Sequence, residues 1–240
     1  MVMRSTQRTV GYAGRLRVLD RGTVGDVALV CLADVVVGAS FGAVAVGGGL
    51  PWWVPISMSV LVFAGGAQFA AIGVVLAGGS PAAAVLAGLV LNARLLPYGF
   101  AVADTLGRSL PVRLLGAHLV TDESTAFTIR QSEPERRRAV FWLSAVGLFV
   151  CWNLAVVAGG ALGRLVPDTD TLGLDAAFPA VVVALVVPAL KDGGTRRAAA
   201  VGALLALVLT PLLPPGLPVL ASLLGLLVLR APGRTRGGAA

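Results

Sequence analysis

The stretch from Ile56 to Ala103 is almost wholly apolar, yet Gln68, Asn92 and Arg94 stand inside it. Around them the chain is apolar enough to cross a bilayer, which takes roughly 20 residues at about 1.5 Å rise each. An amide or guanidinium in hydrocarbon must find a partner or a water-filled cavity, and an arginine at a helix centre costs about 2.5–3.5 kcal/mol even on insertion scales. A segment that served only as an anchor would carry leucine there. The feature points to an all-α, polytopic membrane helix bundle with an internal polar site, as in a transporter or channel.

Composition agrees. The chain is 57% hydrophobic and 13% charged, with mean hydropathy +0.88, against about 25% charged in soluble domains. Strand-type alternation is absent, which argues against a membrane barrel. The net charge of +7 does not call for nucleic acid, because the arginines cluster in a few loops and at the ends, as the positive-inside rule requires. Cys31 and Cys151 lie in apolar runs and read as small fillers. A lone histidine, His118, cannot complete a metal set, and the single lysine, Lys191, follows no phosphate-binding loop. No metal, cofactor or cleaved signal peptide is expected.

The expected spans are 27–46, 54–77, 82–103, 139–163, 176–190, 198–213 and 215–229, with a polar, amphipathic piece at 112–130. That makes seven to eight crossings in one domain, 27–230, between a basic tail, 1–26, and a short tail, 231–240. The last two spans are short and separated by a proline-rich turn, Leu213 to Pro218. The arginines of the first tail, Arg136 to Arg138, the Lys191/Arg196/Arg197 group and Arg230, Arg234 and Arg236 should all be cytoplasmic, leaving both termini inside. The loop with Asp168, Asp170 and Asp175 should face out. An even number of crossings must then precede residue 136, so either 112–130 crosses as a fourth, polar-faced helix or one earlier span is re-entrant; the fourth crossing is favoured because its polar residues can face a bundle interior. Residues 41–51 resemble 154–167, so the domain reads as two repeats, 27–130 and 139–229, an arrangement that places transporter sites between the halves.

Within the second span the sequence runs Phe63-Ala64-Gly65-Gly66-Ala67-Gln68-Phe69. Paired glycines weaken a helix and bare its backbone. One reading is close helix packing through small residues. The other is a broken helix whose backbone and Gln68 amide hold a zwitterion beside a cavity. Asn92 and Arg94 lie midway along the third span, and Arg94 calls for an acidic partner, with Asp34, Asp122 and Glu123 the candidates. Each acid also has a plain reading, as a solvated or hydrogen-bonded group.

At these residues the chain resembles the AzlC family: Gly-x-x-Phe-Gly at 38–42, Ser59 followed by Phe63 to Phe69, Leu91-Asn92-Ala93-Arg94, and Leu119 to Glu123. The resemblance spans residues 22–130 by motif and the remainder by hydropathy. It implies the large subunit of a two-component exporter of branched-chain amino acids, in some members methionine. It also implies a small AzlD-type membrane subunit and a secondary, non-ATP mechanism in the plasma membrane. Two departures stand out: Leu95-Leu96-Pro97-Tyr98 follows Arg94 where a histidine is expected, and Asp34 occupies a position expected to be uncharged.

The resulting expectation is alternating access. Ser59, Phe63, Gly65, Gly66, Gln68, Asn92 and Arg94 form the substrate set, while one of Asp34, Asp122 and Glu123 changes protonation during the cycle. The rivals are an intramembrane enzyme using Asp122 and Glu123, and a non-transporting assembly subunit. Against the enzyme, adjacent helical residues point about 100° apart and no nucleophile accompanies them. The assembly role leaves Gln68 and Arg94 unexplained unless they bind the partner.

Overall fold

The computed structural model describes residues 19–165, 183, 187, 189–214 and 217–230. The expected span 176–190 lies largely outside these residues, as do the acidic loop and most of both tails. The described residues are helical: α1 (Arg21–Gly47), α2 (Trp53–Leu61), α3 (Gly65–Leu76), α4 (Pro81–Asn92), α5 (Leu95–Ala101), α6 (Leu110–His118), α7 (Asp122–Ile129), α8 (Pro134–Leu165), α9 (Gly193–Leu209) and α10 (Leu217–Ser222), with 3-10 turns at Ala189–Lys191 and Leu223–Arg230. Among them, Arg21–Gly47, Pro81–Ala101 and Pro134–Arg164 are long and apolar enough to cross a membrane, and α3 is a shorter apolar helix. Large apolar side chains such as Leu29 and Leu32 on α1, Leu86 and Leu89 on α4 and Leu154 on α8 are exposed. In a membrane protein these are the lipid-facing shell.

Lipid tails are as apolar as leucine, so membrane helices associate through close backbone packing. The sequence supplies this as Gly38-x-x-x-Gly42 on α1 and Gly159-x-x-x-Gly163 on α8. A Cβ on Gly42 would lie 2.2 Å from the Val156 carbonyl oxygen, and one on Gly163 would lie 2.7 Å from that of Ala43. The two helices run parallel in contact, and the similar segments meet along this seam at Gly42, Ala43 and Val46 of the first and Val156, Gly160 and Gly163 of the second. The core forms beside it, from Phe41, Phe141, Leu148, Trp152 and Val156 with Phe69 and Ile72 of α3. A second close contact joins α9 to the last turn, where a Cβ on Gly225 would lie 2.4 Å from the Ala198 carbonyl oxygen.

Three expected spans are interrupted. The second breaks at Val62 to Ala64, between α2 and α3. The third breaks after Asn92, because Pro97 has no N–H for the Ala93 carbonyl; Leu96 N–H takes that carbonyl instead, at 3.2 Å. The piece at 112–130 is not one helix but two, α6 and α7. A capping box starts α7, in which Thr121 Oγ1 accepts from Ser124 N–H at 3.1 Å and Ser124 Oγ accepts from Thr121 N–H at 2.9 Å.

The arginines at 136–137 do more than set topology. Arg137 grips Asp104 with two bonds of 3.1 and 3.2 Å and donates to the Ala101 carbonyl at the end of α5. Arg136 bonds to Gln131, Thr23 and Asp20, the N-cap of α1. Hydrogen bonds from Arg136, and then from Thr23, hold the Asp20 carboxyl far below its ordinary value of 3.8. A depressed carboxylate contributes stability above its unfolded pKa and loses it as pH falls toward the folded one. The tie should therefore be intact above about pH 5 and weaken below 3.8. A melting temperature followed downward through that window in detergent should show a small extra fall in the wild type that is absent in Asp20→Asn. Parallel curves would remove the role assigned to this tie.

Candidate functional site

The interrupted helices converge on one cavity of about 600 Å³. Its wall is mainly apolar, with Phe69, Ile72, Leu91, Leu148 and Trp152 among the lining side chains. Its polar lining is Asp34 from α1, the first turn of α3, Arg94 from the α4–α5 break, and Thr121, Asp122 and Glu123 at the start of α7.

The start of α3 is an open helix end. Its N-cap, Ala64, offers no side-chain acceptor, and Gln68 is the first residue to donate back, to the Ala64 carbonyl at 2.9 Å. The N–H groups of Gly65, Gly66 and Ala67 have no backbone acceptor among the described residues. Such an end carries about half a positive charge. The two glycines permit close approach on both sides: a Cβ on Gly65 would lie 2.9 Å from the Trp152 ring, and one on Gly66 would lie 3.4 Å from Arg94 Nη2. Arg94 in turn pairs with Asp122 at 3.0 Å, with side chains 48% and 30% exposed. Asp122 Oδ1 is buried without a hydrogen-bond partner among the described residues, while the half-exposed Arg94 guanidinium lines the cavity and can serve a second anion. Asp34 and Glu123 line the same cavity.

The structure brings together Asp34, Phe63, Gly65, Gly66, Arg94, Asp122 and Glu123 from the expected set. It separates Ser59, Gln68 and Asn92, which do not line the cavity. Ser59 is buried and donates to Asn153 Oδ1 of α8 at 2.7 Å. Gln68 is fully buried, and neither of its amide atoms is hydrogen-bonded among the described residues. It is absent from the cavity lining, although Gly65 and Ile72, three residues before and four after it, belong to that lining. Asn92 ends α4 half-buried, outside the lining.

Three residues were missed. Trp152 lines the cavity and stacks on Phe41, with ring centroids 6.0 Å apart. Asn153 ties Ser59 to α8. His118, dismissed for want of metal partners, contacts the α2–α3 break. None has a local signal, because each acts on residues distant in sequence. Among the described residues no group of His, Cys, Asp and Glu could hold a metal ion.

The family model described as AzlC protein matches residues 29–166, more than half of the chain. The chain is also 25% identical over 181 residues to a protein of Helicobacter pylori (strain ATCC 700392 / 26695) described as an uncharacterized membrane protein, covering 75% of this chain and 79% of that one. No solved structure matches at a significant level.

Proposed function

The chain belongs to the AzlC family of membrane transport proteins, and from that premise we propose that it is the large subunit of a secondary exporter of branched-chain or similar aliphatic amino acids. The observation that carries the reading is the open amide end of α3 beside Arg94, inside a cavity with otherwise apolar walls. A carboxylate suits the amide end and the guanidinium together. An aliphatic side chain suits the wall of Phe69, Ile72, Leu91, Leu148 and Trp152. The substrate ammonium faces Asp34 and Glu123, and one of the cavity acids carries the coupling proton. Ser59, Gln68 and Asn92 receive no substrate contact, since they lie off the wall.

The proposal includes a small AzlD-type partner subunit, the plasma membrane as location and both termini in the cytoplasm. Supporting the orientation, the Asp20–Arg136 tie puts the starts of α1 and α8 at one end of the molecule. Arg21 and Arg136 to Arg138 thus lie on one side, in keeping with the positive-inside rule.

The test is efflux from cells loaded with leucine, isoleucine, valine or methionine, with the partner subunit co-expressed. Expression should raise efflux, and Gly66→Leu should lower it by about tenfold or more, by covering amides that make charge-assisted hydrogen bonds. The membrane level of the variant should match the wild type. Unchanged efflux with Gly66→Leu would move the substrate site elsewhere; no efflux of any of the four in the wild type would end the substrate assignment.

A further inference from the structure

The break between α2 and α3 leaves one backbone acceptor without its helical donor and with a side-chain donor in its place. In a continuous helix the Val60 carbonyl would receive the N–H of Ala64, four residues on. Here Ala64 is extended, at φ −149° and ψ 90°, and makes no such bond among the described residues. His118 Nε2 lies 2.8 Å from the Val60 carbonyl oxygen instead. A carbonyl can only accept, so Nε2 carries the proton. The same imidazole sits against Phe63 and Phe149, with centroids 6.3 and 6.0 Å away. Phe63 and Phe149 meet edge to face at 5.0 Å.

Val62, Phe63 and Ala64 are not themselves helix breakers, although Gly65 and Gly66 follow directly. Phe63 nevertheless has φ 40°, a positive value that no other described non-glycine residue adopts. Backbone of that kind costs about 1–3 kcal/mol and persists only where its surroundings hold it. The surroundings here are His118 at the end of α6 and Phe149 on α8.

We propose that His118 is a positioning residue that holds the 53–76 segment open by taking the Val60 carbonyl from Ala64, and that the alternative pairing is the second state of the same element. When Ala64 N–H regains Val60, the segment becomes one helix. The N–H groups of Gly65, Gly66 and Ala67 then turn to the carbonyls of Leu61, Val62 and Phe63. An anionic group in the cavity loses those donors, so one hydrogen-bond exchange switches the site between a holding and a releasing form. This consequence rests on the amino-acid site proposed above; the exchange of partners at Val60 does not.

Two kinds of substitution separate the donor from the ring. His118→Gln keeps an N–H at similar reach, whereas His118→Phe keeps an aromatic ring against Phe63 and Phe149 but donates nothing. His118→Leu is a second variant without a donor. Amide hydrogen exchange of purified protein, read on peptides covering 62–69, needs no substrate. In His118→Phe and His118→Leu the amides of 64–67 should exchange about tenfold more slowly than in the wild type, the effect of shifting roughly one hydrogen bond. His118→Gln should stay near the wild-type rate. Unchanged exchange in both donorless variants, or an equal shift in His118→Gln, overturns the proposal. So does a failure of both donorless variants to accumulate, since a switch needs its second state to be folded. Slowed exchange with no change in amino-acid efflux supports the latch and removes the amino-acid site instead.

Discussion

Replacing Gly159 with leucine is expected to eliminate the folded protein from the membrane. A Cβ at this position would lie 1.9 Å from the Ala39 carbonyl oxygen and 2.6 Å from the Ala39 carbonyl carbon. The obstacle is backbone, so no rotamer change relieves it, and α1 and α8 must move apart. That opens the seam on which Phe41, Trp152 and Val156 are packed. Overpacking a core typically costs about 1–3 kcal/mol, and separating the two longest helices adds the loss of their mutual contacts, against a total stability of roughly 5–15 kcal/mol. Gly25→Ala is the control, since nothing lies within 4 Å of its added Cβ; there the change should stabilise α1 by about 0.5–1 kcal/mol. Size-exclusion profiles of detergent-solubilised membranes distinguish the cases. A monodisperse Gly159→Leu peak of wild-type height would show that the α1–α8 seam does not hold the fold.

Length and hydropathy made the membrane class legible, because a spanning helix must be both long and apolar. The interruptions were legible in part. Paired glycines drew attention to Gly65 and Gly66, and the chain does break there, but at Val62 to Ala64 with the glycines forming the first turn of α3. Glycine pairs mark where backbone is bared, while the break itself meets His118 and Phe149 from other helices, contacts with no local trace in the sequence. Pro97 carried a local signal for the third-span break, through its missing donor, yet 82–103 reads as continuous when only hydropathy is followed. The polar piece at 112–130 reads as one helix by amphipathicity, and the Thr121/Ser124 capping box divides it.

For the site, charge was a better guide than amide content. Arg94 and the three acids had to be satisfied near one another, and four such groups in apolar sequence can do so at few places. Gln68 and Asn92 carried no such constraint. Gln68 shares helical spacing with the lining residues Gly65 and Ile72, yet its side chain is fully buried off the cavity wall. Ser59 bonds across to Asn153 rather than facing the cavity, a pairing over 94 residues with no local trace.

Removing the Arg94 guanidinium is expected to abolish export while leaving the protein folded. Breaking a sealed ion pair costs about 3–5 kcal/mol because the surviving charge is stranded. Here the side chains of Arg94 and Asp122 are 48% and 30% exposed, and both residues line the cavity. Pairs with that much access to water are worth closer to 0–1 kcal/mol, so Arg94→Ala should reach the membrane at nearly wild-type level. Function is a different matter, because a guanidinium on a substrate carboxylate contributes about 1.5–3 kcal/mol, or roughly 10- to 150-fold in export. The double variant Arg94→Ala/Asp122→Asn separates the two roles, since it removes both members of the pair. If Arg94 serves only to neutralise Asp122, the double variant should regain export. If Arg94 also holds the substrate, export should stay low while Asp122→Asn alone retains a measurable share. Arg94→Lys should recover little, because an ammonium cannot offer the paired donors that face Asp122 and a second carboxylate at once. Export of Arg94→Ala at the wild-type rate would remove the guanidinium from the site and leave anion binding to the amide end of α3.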